Sequence, residues 1–314
     1  MSSEPARTRS RKTAPDPYAT LWDGAARRRS AHRRSRRHTL RVTIVSVIAV
    51  VVAGLLAVPL VQQWAPVGNS ATRGSDGSTA AKDGPSGPSD PFAGTPAERY
   101  AVATRGVVVP KAKQVGSWTA VDVRNALRQT QKVLIAARLD PRVLEQGSAA
   151  AYLALLSPAT RGMVGAAIRS GGPGLGYVTR LAPGFTLDRS SAIRVAGTMS
   201  AKAGKDGQLV VTADYVWVYP LKGGKPSAAA GPGSRLVVLH TVESYELYRP
   251  EAISVSDRGL RPGGGNSYTF NMDCSLVGKG LLALPPPDQG GRPSSPDDAA
   301  YSPRTDPRSI RSTC

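Results

Sequence analysis

Hydrophobic and polar positions divide the chain into regimes with different periods. Residues 1–41 are polar and basic, with too few apolar side chains to fold alone. Val42 to Val61 then reads VTIVSVIAVVVAGLLAVPLV without a charged residue. At about 1.5 Å rise per residue, roughly 20 residues match the ~30 Å hydrocarbon core of a bilayer. With Trp64 behind it as an interfacial anchor, the segment 42–64 is expected to be a transmembrane helix. A cleaved signal peptide shares the basic front and apolar centre. Here, however, the apolar run follows a long leader, exceeds the ~7 to 15 residues of a signal core, and precedes no small-x-small cleavage site, so an uncleaved signal anchor is the reading. Residues 65–98 turn to Gly, Ser, Pro, Asp and Ala, the composition of a flexible linker.

Periodicity returns near Tyr100, where Tyr100 to Pro110 reads as a first strand ended by proline. Thr119 can cap a helix reaching about Leu139, because Val123, Ala126, Leu127, Thr130, Val133, Leu134 and Ala137 recur at spacings of three and four. Asp140-Pro141 and Ser157-Pro158 each pair a cap with a first-turn proline, giving two more helices, the former broken near Gly147. Gly171-Gly172-Pro173-Gly174-Leu175-Gly176 follows a helix, whereas a phosphate loop follows a strand, so it is read as a linker. Alternating strands come next. Ile193 to Ala203 and Gln208 to Pro220 flank Lys205-Asp206-Gly207, whose Asp-Gly pair signals a two-residue hairpin turn, and Arg235 to Tyr248 is a third long strand.

A block of helices followed by antiparallel strands predicts an α+β domain over 99–280, with about three helices packed on one face of a curved sheet. Pairing the strands about their turns places Ile193, Val195, Met199, Val210, Val216, Val218, Leu236, Val238 and Val242 on the core face. The same parity puts Asp214 and His240 there, nearly opposite each other. The other face receives Tyr215, Trp217, Tyr219, Leu239, Tyr245 and Leu247 beside Arg194, Thr198 and Lys202. Left uncovered, those aromatics form a candidate partner surface at Tyr215, Trp217, Tyr219 and Tyr245.

Helices before long antiparallel strands, behind one anchor and linker, resemble the NTF2-like, cone-shaped α+β extracytoplasmic domains of uncharacterised actinobacterial membrane proteins. The closing Tyr301-Ser302-Pro303-Arg304-Thr305-Asp306-Pro307-Arg308 to Cys314 is similar to the carboxy-terminal tails of some of them. The resemblance implies a cone-shaped domain and carries no functional residue across, because such folds host enzymes, carriers and interaction modules alike.

Charge refines the topology. Of the formal +19, about half sits before the apolar run, where Arg7, Arg9, Arg11, Lys12, Arg27, Arg28, Arg29, Arg33, Arg34, Arg36, Arg37 and Arg41 face only Glu4, Asp16 and Asp23. Basic charge in a tail rather than on the folded domain argues against nucleic acid. Eight arginines from Arg27 to Arg41 against Arg73 and Lys82 put the amino terminus in the cytoplasm and the carboxy terminus outside the cell membrane, as a single-pass protein. The run RRRSAHRRSRRH either only sets topology or also attracts anionic lipid. Asp16-Pro17-Tyr18-Ala19-Thr20-Leu21-Trp22-Asp23 reads equally as a docking motif or as spacer.

Cys274 and Cys314 are the only cysteines, and an even count outside the cytoplasm reads as a disulfide tying back the Pro-rich tail 281–314. Two cysteines and one histidine after the apolar run make a poor zinc site, so neither metal nor cofactor is expected. Asp214 with His240 is a candidate cavity pair, either a general base with its carboxylate or a satisfied polar pair in the core. No serine lies in a Gly-x-Ser-x-Gly elbow, and Glu243 and Glu246 face opposite sides of one strand. The sequence therefore favours a membrane-anchored, non-catalytic module of the cell envelope that binds another envelope protein or itself. The alternatives are a carrier with a small ligand in a cone-shaped cavity and, third, an enzyme using Asp214 and His240.

Overall fold

The first long helix starts where its cap is. In the computed structural model, which describes residues 90–171, 176–224, 233–287 and 298–310, Thr119 and Asp122 form a reciprocal capping box at the head of α1 (Ala120–Arg138). Its expected apolar stripe is buried from Val123 to Ala137, and the stripe continues into a charged residue, Arg138. Pro141 and Pro158 open α2 (Pro141–Leu144) and α4 (Pro158–Arg169), with α3 (Ala150–Ala154) between them. Gly147, at φ 69°, separates α2 from α3, a backbone conformation that a residue with a Cβ rarely adopts.

Against these helices lies a six-stranded sheet ordered β1 (Ala101–Val102), β4 (Arg194–Ala203), β5 (Leu209–Gly223), β6 (Leu236–Leu247) and β7 (Arg261–Phe270), with β3 (Phe185–Leu187) added beside β5. All of its pairings are antiparallel. A small parallel pair joins β2 (Arg180–Leu181) to β8 (Leu281–Leu282), which follows the short α5 (Cys274–Val277). The last described helix is α6 (Asp298–Tyr301).

The β4–β5 turn decides which face each side chain takes. Its loop is three residues, Lys205 to Gly207, because the Gly204 amide bonds the Gln208 carbonyl at 2.8 Å and Gly207 takes φ 77°. A two-residue turn at Asp206-Gly207 would have set Val195 opposite Val218. The observed loop sets it opposite Trp217, a slip of one residue that moves every β4 side chain to the other face. Ile193, Val195 and Met199 thus join Tyr215, Trp217, Tyr219, Leu239 and Tyr245 under the helices, and this is the principal core. Arg194, Thr198 and Lys202 go with Val216, Val218, Leu236 and Val238 on the second face.

That second face carries its own, smaller core. Phe92 and Ala97, inside the stretch expected to be linker, cover Val216, Val218, Leu236 and Val238 together with Tyr268, Phe270, Ala300 and Tyr301. The packed domain therefore includes part of the expected linker, from Phe92 onward. Strand β7 has no counterpart in the sequence reading, since Arg261-Pro262-Gly263-Gly264-Gly265 hides any alternation. A Cβ on Gly265 would come within 2.5 Å of the Val242 carbonyl oxygen, so close strand approach dictates the glycine.

The expected transmembrane helix is corrected. Among the described residues no helix is long and apolar enough to cross a membrane; the longest, α1, is a two-faced helix with Arg124, Arg128 and Lys132 exposed. The segment 42–64 itself, the basic tail 1–41 and residues 65–89 lie outside the described residues. The membrane localisation, the orientation and the single-span partner inferred from that segment accordingly find no support in the structure.

Candidate functional site

The expected partner surface is not a surface. Tyr215, Trp217 and Tyr219 have no exposed area and Tyr245 retains 2%, because the helical layer packs on the face to which the three-residue loop assigns them. Trp217 Nε1 donates to Thr241 Oγ1 at 3.2 Å, and its ring stands 5.5 Å from that of Tyr215. The face instead encloses a polar cluster that sequence reasoning missed.

At its centre Arg138, wholly buried, forms an ion pair through Nη2 with Glu243 Oε1. Arg138 Nη1 donates to Thr179 Oγ1 at 3.0 Å, and the Tyr245 hydroxyl donates to Glu243 Oε2 at 2.6 Å. The Tyr219 hydroxyl lies 3.2 Å from both the Arg138 carbonyl oxygen and Thr179 Oγ1. Burial pulls the Arg138 guanidinium down, but Glu243 and the tyrosines outweigh it and leave the group above its ordinary value. Burial first, then the Glu243 charge, lifts the Tyr245 and Tyr152 hydroxyls far above the usual phenol, and burial likewise lifts Tyr219. Two buried polar atoms on the inner face of α1 have no hydrogen-bond partner: Arg138 Nε and, two turns earlier, Thr130 Oγ1. The sequence held one signal for this cluster, since Thr130, Leu134 and Arg138 fall at spacings of four on the apolar stripe and place a charge where only apolar residues are expected.

Asp214 and His240 do come together, on the opposite face. Asp214 pairs in register with Val242 and His240 with Val216, so the two side chains are diagonal neighbours on adjacent strands. His240 Nε2 lies 2.7 Å from Asp214 Oδ1; the imidazole is wholly buried, whereas the carboxylate side chain keeps 35% exposure. Nδ1 is buried with no hydrogen-bond partner. Tyr268 on β7 stands directly opposite His240 in the sheet register. With one ring nitrogen on a carboxylate and the other sealed from solvent, the imidazole offers no substrate a proton acceptor in this arrangement.

Cys274, just beyond β7, is disulfide-bonded. Cys314, the only other cysteine of the sequence, lies outside the described residues. Among the described residues no group of three His, Cys, Asp or Glu side chains is placed to hold a metal ion. The chain matches no family model, no curated protein and no solved structure.

Proposed function

We propose that this chain is a non-catalytic protein-binding module that presents the open end of its second sheet face to a protein partner. One observation carries the reading. At one end of that face the chain's own terminal segments bury Val216, Val218, Leu236 and Val238. At the other end Thr198, Ser200 and Lys202 are exposed, and Val210, Thr212, Asp214 and Val242 are half-buried. The register places these side chains on three adjoining strands, and only Lys202 among them is large. Such a face suits the extended surface of another protein better than a small molecule, which needs a concave site. The half-exposed Asp214 carboxylate supplies a fixed acceptor at its centre, oriented by His240.

The test is a photo-crosslinking amino acid placed at Thr198 or Thr212 in the full chain, with Lys132 on the exposed side of α1 as the control position. A discrete adduct at Thr198 and Thr212, absent at Lys132 and lost on Val242→Arg, is expected. Its mass tells a second copy from a different protein. No adduct at either position, or the same adduct at Lys132, would overturn the reading.

A second reading, a carrier for a small ligand between α1 and the sheet, is favoured by the two buried orphan atoms Thr130 Oγ1 and Arg138 Nε. A ligand accepting from both would satisfy them. Thermal stabilisation of the protein by a small-molecule extract, abolished by Thr130→Val, would select this reading.

A further inference from the structure

Folding gathers basic charge on the helical side of the domain as well as in the tail. Arg124, Arg128 and Lys132 follow one another at spacings of four on α1, so they stand in a row about 12 Å long on the side turned away from the sheet, and all three are exposed. The segment 103–118 runs back beside this row. Gln131 Nε2 donates to the Val107 carbonyl, and Gln131 lies seven positions after Arg124, on the same flank of the helix. Val109, Ala112 and Val115 of that segment pack on the main core, while Arg105, Lys111 and Lys113 are exposed.

Three observations single out this strip of six cations. Between residues 103 and 139 the one acidic residue is Asp122, and its carboxylate is taken up by the Thr119 cap. Among the described residues none of the six forms an ion pair, whereas Arg142, Arg189, Lys222 and Arg308, likewise exposed, each hold a carboxylate. Like charges four positions apart repel along a helix, a cost that an anion laid along the row would remove.

The occupant must therefore be densely charged. Over about 12 Å an extended acidic peptide turns about two side chains to one face. The same length of nucleic-acid duplex carries about seven phosphates. The only aromatic residue between 103 and 139, Trp118, is buried, so the strip lacks the stacking platform on which a single strand lies.

We infer that the strip formed by α1 and the segment 103–115 binds the phosphate backbone of duplex nucleic acid without reading its sequence. Contacts from basic side chains to phosphates fix a protein on the duplex and carry no sequence information. The expectation that charge confined to the tail speaks against nucleic acid gives way, because six unpaired cations lie on the folded domain. The sheet face assigned to a protein partner lies on the far side of the helical layer, so the two surfaces are independent.

The first measurement is a lysine acetylation footprint of the full chain, mapped by peptide mass, with and without a mixed-sequence DNA duplex of about 20 base pairs at about 50 mM salt. Lys111, Lys113 and Lys132 are expected to react about fivefold more slowly with the duplex present, while exposed Lys202, Lys222 and Lys279 stay unchanged. Lys12 reports contact by the tail separately. Equal protection of all these lysines, protection of Lys12 alone, or no protection would overturn the strip. Poly-glutamate at the same charge concentration is the control, and equal protection by it would rule out nucleic acid as the occupant. The second measurement is the salt dependence of affinity for the same duplex. Replacing Arg124, Arg128 and Lys132 together by Gln removes three phosphate contacts and should lower the slope of log K against log salt by about 2.7. An unchanged slope in a variant whose circular dichroism and melting match wild type would contradict the inference, and the footprint tests it with no substitution at all.

Discussion

The Arg138–Glu243 pair makes a prediction whose two halves differ in kind. Both charges lie between α1 and the sheet, with side-chain exposures of 0% and 8%, and each depends on the other. Replacing Glu243 by Gln keeps an acceptor for the Tyr245 hydroxyl but leaves a guanidinium with no counter-charge in the core. Arginine cannot shed its proton, so the full cost stands, about 3–5 kcal/mol out of the ~5–15 kcal/mol that holds a domain of this size. At about 2–4 °C per kcal/mol this corresponds to a melting temperature roughly 10 °C lower.

Arg138→Met strands a carboxylate instead, and a carboxylate can shed its charge by taking up a proton. In that variant the native state then binds more protons than the unfolded chain, so stability relative to wild type recovers as pH falls from 8 towards 5, by up to about 1.4 kcal/mol per pH unit. Arg138→Met combined with Glu243→Leu removes both charges and should lie within about 1 kcal/mol of wild type or above it. Urea unfolding of the four proteins at pH 8, 6.5 and 5 measures all of this. A Glu243→Gln cost below about 1 kcal/mol, or deficits in the two single variants that share one pH dependence, would refute the reasoning.

Two further outcomes follow from burial and register. Burial pushes the Tyr215 hydroxyl up to about 12 and lifts those of Tyr152, Tyr219 and Tyr245 further. The unfolded chain therefore loses phenolic protons first, and stability should fall as pH rises from 10 towards 12, by about 1.4 kcal/mol per unit for each tyrosine still protected. Absorbance at 295 nm should show these four of the ten tyrosines titrating only with unfolding, and all ten titrating in the native protein would contradict the burial. Deleting Lys205 shortens the β4–β5 loop to two residues but keeps Gly204 opposite Gln208, so Val195 should stay opposite Trp217 and the chain should keep its cooperative urea transition; loss of that transition would show that the third loop residue is itself needed to hold the register.

Much of the architecture was legible locally. Thr119, Asp140-Pro141 and Ser157-Pro158 announce their helices because caps and first-turn prolines act within a few residues. Side-chain alternation puts Asp214 and His240 on one face of the sheet, and the β5–β6 register makes them diagonal neighbours. The apolar run 42–61 and the arginines before it lie outside the described residues, among which no helix is long and apolar enough to cross a membrane.

What the tertiary structure decided are matters that depend on partners far away in the chain. Whether the aromatics of β5 and β6 meet solvent or a core turned on a single residue in the Lys205 to Gly207 loop, and both alternatives bury an apolar row. Arg138 and Glu243 are more than a hundred positions apart, and only the packing of α1 on the sheet removes both from water and makes each necessary to the other. A terminal segment packs on the second face through Ala300 and Tyr301, although its composition, rich in proline and charge, gives no sign that it packs on anything. Local sequence specifies caps, periods and turn types, because those energies arise between neighbours; which face becomes a core is a property of the whole chain, since it depends on every surface that competes to cover it.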